Sequence, residues 1–145
     1  MSDLYEADIT LWANQQADAL RRRAANELDW DNVAEEIADV ARRNEDRIEG
    51  ALGTAIVHLL KWHYQPQARS NAWKGVIVAE RDRIARLVHR NPSLAAWPAT
   101  VLAQIYPAAR RQAEAETGLT GFASACPWTV EQVLDHEFWP EPLAL

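Results

Sequence analysis

Between His58 and Lys74 the chain gathers His58, Lys61, Trp62, His63, Tyr64, Arg69, Trp73 and Lys74 on either side of Pro66. Aromatic faces interleaved with cations suit base stacking and phosphate contact. The free N–H groups of a helix starting near Ser70 to Trp73 would suit an anion. The same residue types also build an ordinary core corner. In that reading Trp62 and Trp73 pack between helices, His58 donates to a carbonyl or to an acid such as Glu36, and Arg69 caps the carbonyls ending the preceding helix. The candidate ligand- or partner-binding residues are therefore His58, Lys61, Trp62, Tyr64, Arg69, Trp73 and Lys74.

Other chemistry has thinner support. The four histidines, His58, His63, His89 and His136, have no histidine three or four positions away, and neither His-Glu-x-x-His nor Glu-x-x-His occurs. Zincin and carboxylate di-iron sites need those spacings on one helix face. Glu35 and Glu36 each share a helix face with Asp39, an arrangement that solvent or arginine partners satisfy without a metal. No metal and no cofactor is expected. Cys126 precedes a helix start, but Pro127 and Trp128 intervene and no neighbour in sequence would serve as its base, so a small buried cysteine is expected. No glycine-rich phosphate loop, Gly-x-Ser-x-Gly elbow or dinucleotide fingerprint is present, and no catalytic residue is assigned.

The elements that must position these residues read as helices. Tyr5, Ile9, Trp12 and Leu20 have helical spacing, which predicts a first helix over Leu4 to Ala24 capped by Ser2 or Asp3. Asp29 stands as N-cap of a second, with Asp31, Glu35 and Glu36 in its first turns at the positive end of the dipole. Its apolar series runs from Val33 to Tyr64, about 50 Å at 1.5 Å per residue. That length exceeds an ordinary domain of this size, and Gly50 and Gly53 weaken the helix, so a break or bend is expected between Val40 and Gly53. Pro66 ends the segment. Ser70 or Asn71 opens a helix with Trp73, Ile77, Ile84, Leu87 and Val88 inward and an outer Asp82–Arg86 pair. After Asn91-Pro92-Ser93, with Pro92 or Pro98 suited to a first turn, another helix reaches Thr117 with a kink at Pro107 and a left-handed cap at Gly118. Thr129 with Gln132 forms a capping box for a short last helix, and Phe138-Trp139-Pro140 clamps the tail. Arg21-Arg22-Arg23 and Arg110-Arg111 fall toward helix C-termini, where cations complement the dipole.

Composition agrees. Ala occurs 26 times and Leu 14 times against 5 Gly, and Ala and Leu cost least in a helix. No strand-like alternation occurs, so the expected fold class is all-α: a single-domain helical bundle or array of about five to six helices over residues 1–145, without a sheet. One cysteine excludes an intramolecular disulfide framework, and no apolar run approaches the ~20 residues of a membrane span. The acidic start lacks the basic character of a leader, and a cytoplasmic location is expected. The net charge of -6 conceals a segregation: 13 acids and 6 bases in residues 1–50, 2 acids and 9 bases in 51–113, and 6 acids without a base in 114–145. The basic block either neutralises its acidic neighbours or presents an anion-binding face.

Several separated stretches carry a resemblance: Leu4-Tyr5-Glu6-Ala7-Asp8, Leu28-Asp29-Trp30-Asp31-Asn32-Val33-Ala34-Glu35-Glu36-Ile37, His58-Leu59-Leu60-Lys61-Trp62-His63-Tyr64-Gln65-Pro66 with Arg69-Ser70 and Trp73, Glu116-Thr117-Gly118-Leu119, and Cys126-Pro127-Trp128-Thr129-Val130-Glu131-Gln132-Val133-Leu134. Together, in this order, they resemble the bacterial family called domain of unknown function twenty-nine. Ala72 stands where the family pattern has a second serine. The resemblance implies an all-helical bacterial domain with no established activity. Function then rests on three expectations, in this order. The first is a small helical interaction or regulatory protein that binds another protein or self-associates, with some of its seven tryptophans in an exposed patch. The second is nucleic-acid or anion binding through Lys61, Arg69, Lys74, Arg81, Arg83, Arg86 and Arg90. The third is an enzyme with a pocket at the His58 to Trp73 corner. No membrane partner is expected.

Overall fold

The computed structural model describes residues 4–141, and the expected cap at Ser2 or Asp3 lies outside them. Among the described residues there are six α-helices and no strand: α1 (Leu4–Ala7), α2 (Ile9–Arg21), α3 (Trp30–Tyr64), α4 (Asn71–Arg90), α5 (Trp97–Thr117) and α6 (Val130–Leu134). Short 3₁₀ turns at Ala25–Glu27, Pro66–Ala68 and Pro92–Leu94 join them. The fold is all-α, as the composition requires. Its contacts fall into two compact units, residues 1–43 and 44–145, and α3 belongs to both.

In the first unit the expected helix over Leu4 to Ala24 is divided at Asp8. That residue leaves the helical region, at φ -155° and ψ 87°, and its side chain accepts the Leu11 N–H at 3.0 Å, making it the N-cap of α2. An acidic residue inside a helical pattern is also a good cap, and here capping wins. At the other end Ala24 N–H reaches the Ala19 carbonyl at 2.9 Å and Arg23 N–H the Leu20 carbonyl at 3.1 Å, the paired bonds of a Schellman motif. Its left-handed position is held by Arg23 at φ 58° instead of by glycine. Asp29 then precedes α3, accepting from Trp12 Nε1 at 3.1 Å and Asn32 Nδ2 at 2.8 Å. These bonds hold its carboxyl below the usual aspartate range, Asn32 contributing most.

Helix α3 runs unbroken for 35 residues, so the expected break between Val40 and Gly53 does not occur. The polar stretch at 42–47 consists largely of good helix formers, and ion pairs lace the turns before it: Arg42 with Glu35 and Asp39, and Arg43 with Glu36. A domain-width limit does not apply to a helix whose two halves pack in different units.

The second unit holds the main core. The later turns of α3 bury Ile48, Leu52, Ile56, Leu59 and Leu60; α4 adds Ile77 and Ile84; α5 adds Val101, Tyr106, Ala109 and Ala113. Phe122, Trp128 and Val133 close it. Each buried Leu or Ile contributes roughly 1.5–3 kcal/mol from removal of apolar surface. Local signals act as read: the Ser70 side chain accepts from Trp73 N–H, Gly118 caps α5 at φ 72°, and Thr129 with Gln132 forms the reciprocal capping box of α6. Pro107 lies within α5, which continues past it to Thr117.

Candidate functional site

The corner singled out by the sequence forms where the C-terminus of α3, the Pro66 turn and the start of α4 meet. Its side chains are engaged with one another and with the chain's own backbone. His58 Nδ1 lies 2.9 Å from the Thr54 carbonyl one turn back on α3. Lys61 is buried, its Nζ 3.4 Å from Glu116 Oε1 and 5.0 Å from the centre of the Trp73 ring. Arg69 donates to the Trp62 carbonyl at 2.9 Å and the Pro140 carbonyl at 3.2 Å, while its guanidinium stacks 4.6 Å over the Trp62 ring. Arg69 thus satisfies one carbonyl that the end of α3 leaves open and one carbonyl of the tail. Trp62 packs against Trp139 at 4.9 Å, Tyr64 stacks on Phe122 at 4.2 Å, and the Tyr64 hydroxyl accepts the Ala123 N–H. Lys74 is exposed, its Nζ 5.6 Å from the Trp139 ring centre. His63 faces the Glu141 carbonyl. The tail from Phe138 to Pro140 therefore closes over the corner.

Arg81 changes the reading of the basic block. Only 2% exposed, it donates to the Val133 carbonyl at 2.7 Å and the Phe138 carbonyl at 2.9 Å, with Gln132 at 3.4 Å. Burial lowers its pKa. The expected phosphate contact is instead a strut: its charge caps the open carbonyls of the five-residue α6 and fixes the tail. Its place between Ile77 and Ile84 on the inner stripe was the signal for this. The expected Asp82–Arg86 pair is also replaced, since Asp82 Oδ1 lies 3.0 Å from His136 Nε2. Of the cations proposed for phosphate, Lys61, Arg69 and Arg81 are consumed internally, leaving Lys74, Arg83, Arg86 and Arg90 at the surface.

Cys126 is half-buried and free, and burial pushes its thiol up, the opposite of what a nucleophile needs. No group of three or more His, Cys, Asp or Glu is arranged so that it could hold a metal ion among the described residues.

The most unusual surface belongs to the first unit, which sequence reasoning did not single out. Helices α2 and α3 border a shallow groove of about 210 Å³, with Trp12, Ala13, Ala17 and Leu20 on one side and Val33, Ile37 and Val40 on the other. Ile37 is 65% exposed, Val40 56% and Leu20 47%. The exposed apolar surface is thus mostly aliphatic; of the seven tryptophans only Trp30 is exposed, so the expected tryptophan-lined patch is absent. Apolar periodicity marked these stripes as helical, but periodicity does not say whether a stripe finds a partner within its own chain. Charged residues around the groove are paired in place: Arg22 with Asp18 and Glu27, Arg42 with Glu35 and Asp39, and Glu36 with Arg43 and the Tyr5 hydroxyl. Donation to Glu36 raises the Tyr5 pKa to about 12.

No helix among the described residues is long and apolar enough to cross a membrane. No curated protein and no solved structure matches the sequence. Residues 4–139 of the 145 match the model of the family described as domain of unknown function DUF29, a span that covers every helix of the described residues, and the chain belongs to that family.

Proposed function

We propose that the protein is a small helical interaction module of the bacterial cytoplasm that self-associates, the α2–α3 face of its first unit closing on the same face of a second copy. The observation that carries this reading is the groove itself. Leu20, Ile37 and Val40 project beside the small residues Ala13 and Ala17, so one surface offers both knobs and hollows. A twofold pair needs that kind of self-complementary patch, and twofold dimers are the commonest oligomers. The internal pairing of Arg22, Arg42 and Arg43 also favours a second copy over a basic partner, because few acids around the groove retain free charge. A single cysteine, free and half-buried, suits the reducing cytoplasm.

The test is the molar mass of the protein in solution by light scattering, for wild type and Ile37→Asp. Wild type is expected to measure as two chains and the variant as one, with unchanged helical circular dichroism because Ile37 is exposed in the single chain. A wild type that remains one chain at every concentration overturns the proposal, as does a dimer that Ile37→Asp leaves intact.

A further inference from the structure

The second unit carries a concentration of positive charge that its own fold does not use. Arg47 from α3 and Arg83, Arg86 and Arg90 from α4 line one concavity of about 290 Å³, floored by Leu87. On α4 these arginines recur at spacings of three and four, which places them on one helix face. Among the other arginines, Arg22, Arg42, Arg43 and Arg110 meet carboxylates and Arg69 and Arg81 meet carbonyls, while Arg21, Arg23 and Arg111 have no side-chain partner but do not share the concavity. Within the concavity, Arg83 makes one long ion pair, with Glu80 at 4.0 Å, Arg47 reaches only the Asn44 amide oxygen at 3.3 Å, and the side chains of Arg86 and Arg90 make no hydrogen bond or ion pair. Asp82, which borders an adjoining hollow with Arg86 and Arg90, faces His136 instead. Four guanidiniums around one hollow with a single carboxylate, Glu80, at its edge keep an excess of positive charge, and an anion bound among them offsets their mutual repulsion.

The geometry points to a site for a diphosphate group, free or as part of a nucleotide, held between α3 and α4 by Arg47, Arg83, Arg86 and Arg90. Guanidinium forks match phosphoryl oxygens bidentately, and several forks around one small hollow select linked phosphoryl groups over a single one. The compactness of the cluster favours such a ligand over a nucleic-acid strand. A strand needs a track of positive charge, whereas Lys61, Arg69 and Arg81 are spent elsewhere and the chain is net -6. This site uses none of the residues of the first unit's groove.

The experiment is calorimetric titration of the full chain with inorganic pyrophosphate, inorganic phosphate, a nucleoside diphosphate and a single-stranded oligonucleotide, at low and moderate salt. Pyrophosphate is expected to bind at least about tenfold more tightly than phosphate, to weaken with salt, and to lose about tenfold or more in affinity in the double variant Arg86→Gln, Arg90→Gln. Arg47→Gln, on the facing helix, should also weaken binding, and unchanged unfolding midpoints would show that both variants fold. A nucleoside diphosphate binding at least as tightly as pyrophosphate supports a nucleotide source, and one binding more weakly supports free diphosphate. The proposal is overturned if pyrophosphate gives no binding, binds no better than phosphate, or is unaffected by the double variant. Tighter binding of the oligonucleotide than of pyrophosphate overturns it in favour of a nucleic-acid face.

Discussion

Replacing Arg81 by methionine keeps much of the side-chain volume and removes every donor, so it isolates what the buried guanidinium does. Its two short bonds, to the Val133 and Phe138 carbonyls, come from a charged donor and are each worth roughly 1.5–3 kcal/mol. Against them stand the burial of a charge and Nη1, which has no partner. Relief of one unsatisfied buried donor returns on the order of 1–3 kcal/mol. At the middle of these ranges the balance is a net loss of about 2–3 kcal/mol, or roughly 6–10 °C in melting temperature for a chain of this size. Urea unfolding followed by tryptophan fluorescence measures it, and hydrogen exchange localises it. Amides from Val133 to Trp139 should lose protection before those of α3, because α6 is too short to stand without its carbonyl cap. A variant within about 0.5 kcal/mol of wild type, with a protected tail, would refute the reasoning and show that desolvation of the charge cancels its hydrogen bonds.

Arg23→Gly should stabilise the protein by about 0.5–1 kcal/mol, since glycine takes the left-handed position of the Schellman motif without steric cost; a lower urea midpoint would count against that assignment. Gly50→Ala and Gly75→Ala should each add about 0.5–1 kcal/mol in the same assay, because a Cβ at either helical position meets nothing within 4 Å. In tyrosinate absorbance, Tyr5 and Tyr106 should both ionise near pH 12, Tyr5 because its hydroxyl donates to Glu36 and Tyr106 because it is buried. Both pKa values are raised in the fold, so their contribution is fully present below pH 10 and is lost as pH rises toward 12. Tyr5→Phe should remove the Tyr5 share of that alkaline loss, and an unchanged alkaline profile would contradict it.

The parts of the fold set by local chemistry were legible in the residues. Ser70, Gly118 and the Thr129–Gln132 pair act within a turn of their own position, and the structure uses each as a cap. Asp8 was legible only as a helical residue, because its spacing fits the apolar period of its neighbours and nothing in the pattern distinguishes a cap from a surface acid. The ends of α3 were legible, but the break expected between Val40 and Gly53 rested on a size limit that holds for one core and not for a helix with residues in two units. The His58 to Trp73 corner was recognised as a meeting of elements. The tail that closes it lies some seventy residues on, and sequence spacing does not show which carbonyls Arg69 and Arg81 will reach. Arg47 was hidden by its acidic neighbours on α3, since its company with Arg83, Arg86 and Arg90 exists only once α3 and α4 pack.

The central claim, that the first unit's apolar face joins two copies, is tested most directly by sedimentation equilibrium of the wild-type chain over a wide concentration range at moderate salt. A reversible monomer–dimer equilibrium that shifts to monomer in Ile37→Asp and Val40→Asp, and is unaffected by Arg86→Gln, is the predicted result. A single species of one-chain mass across the whole range would contradict the account.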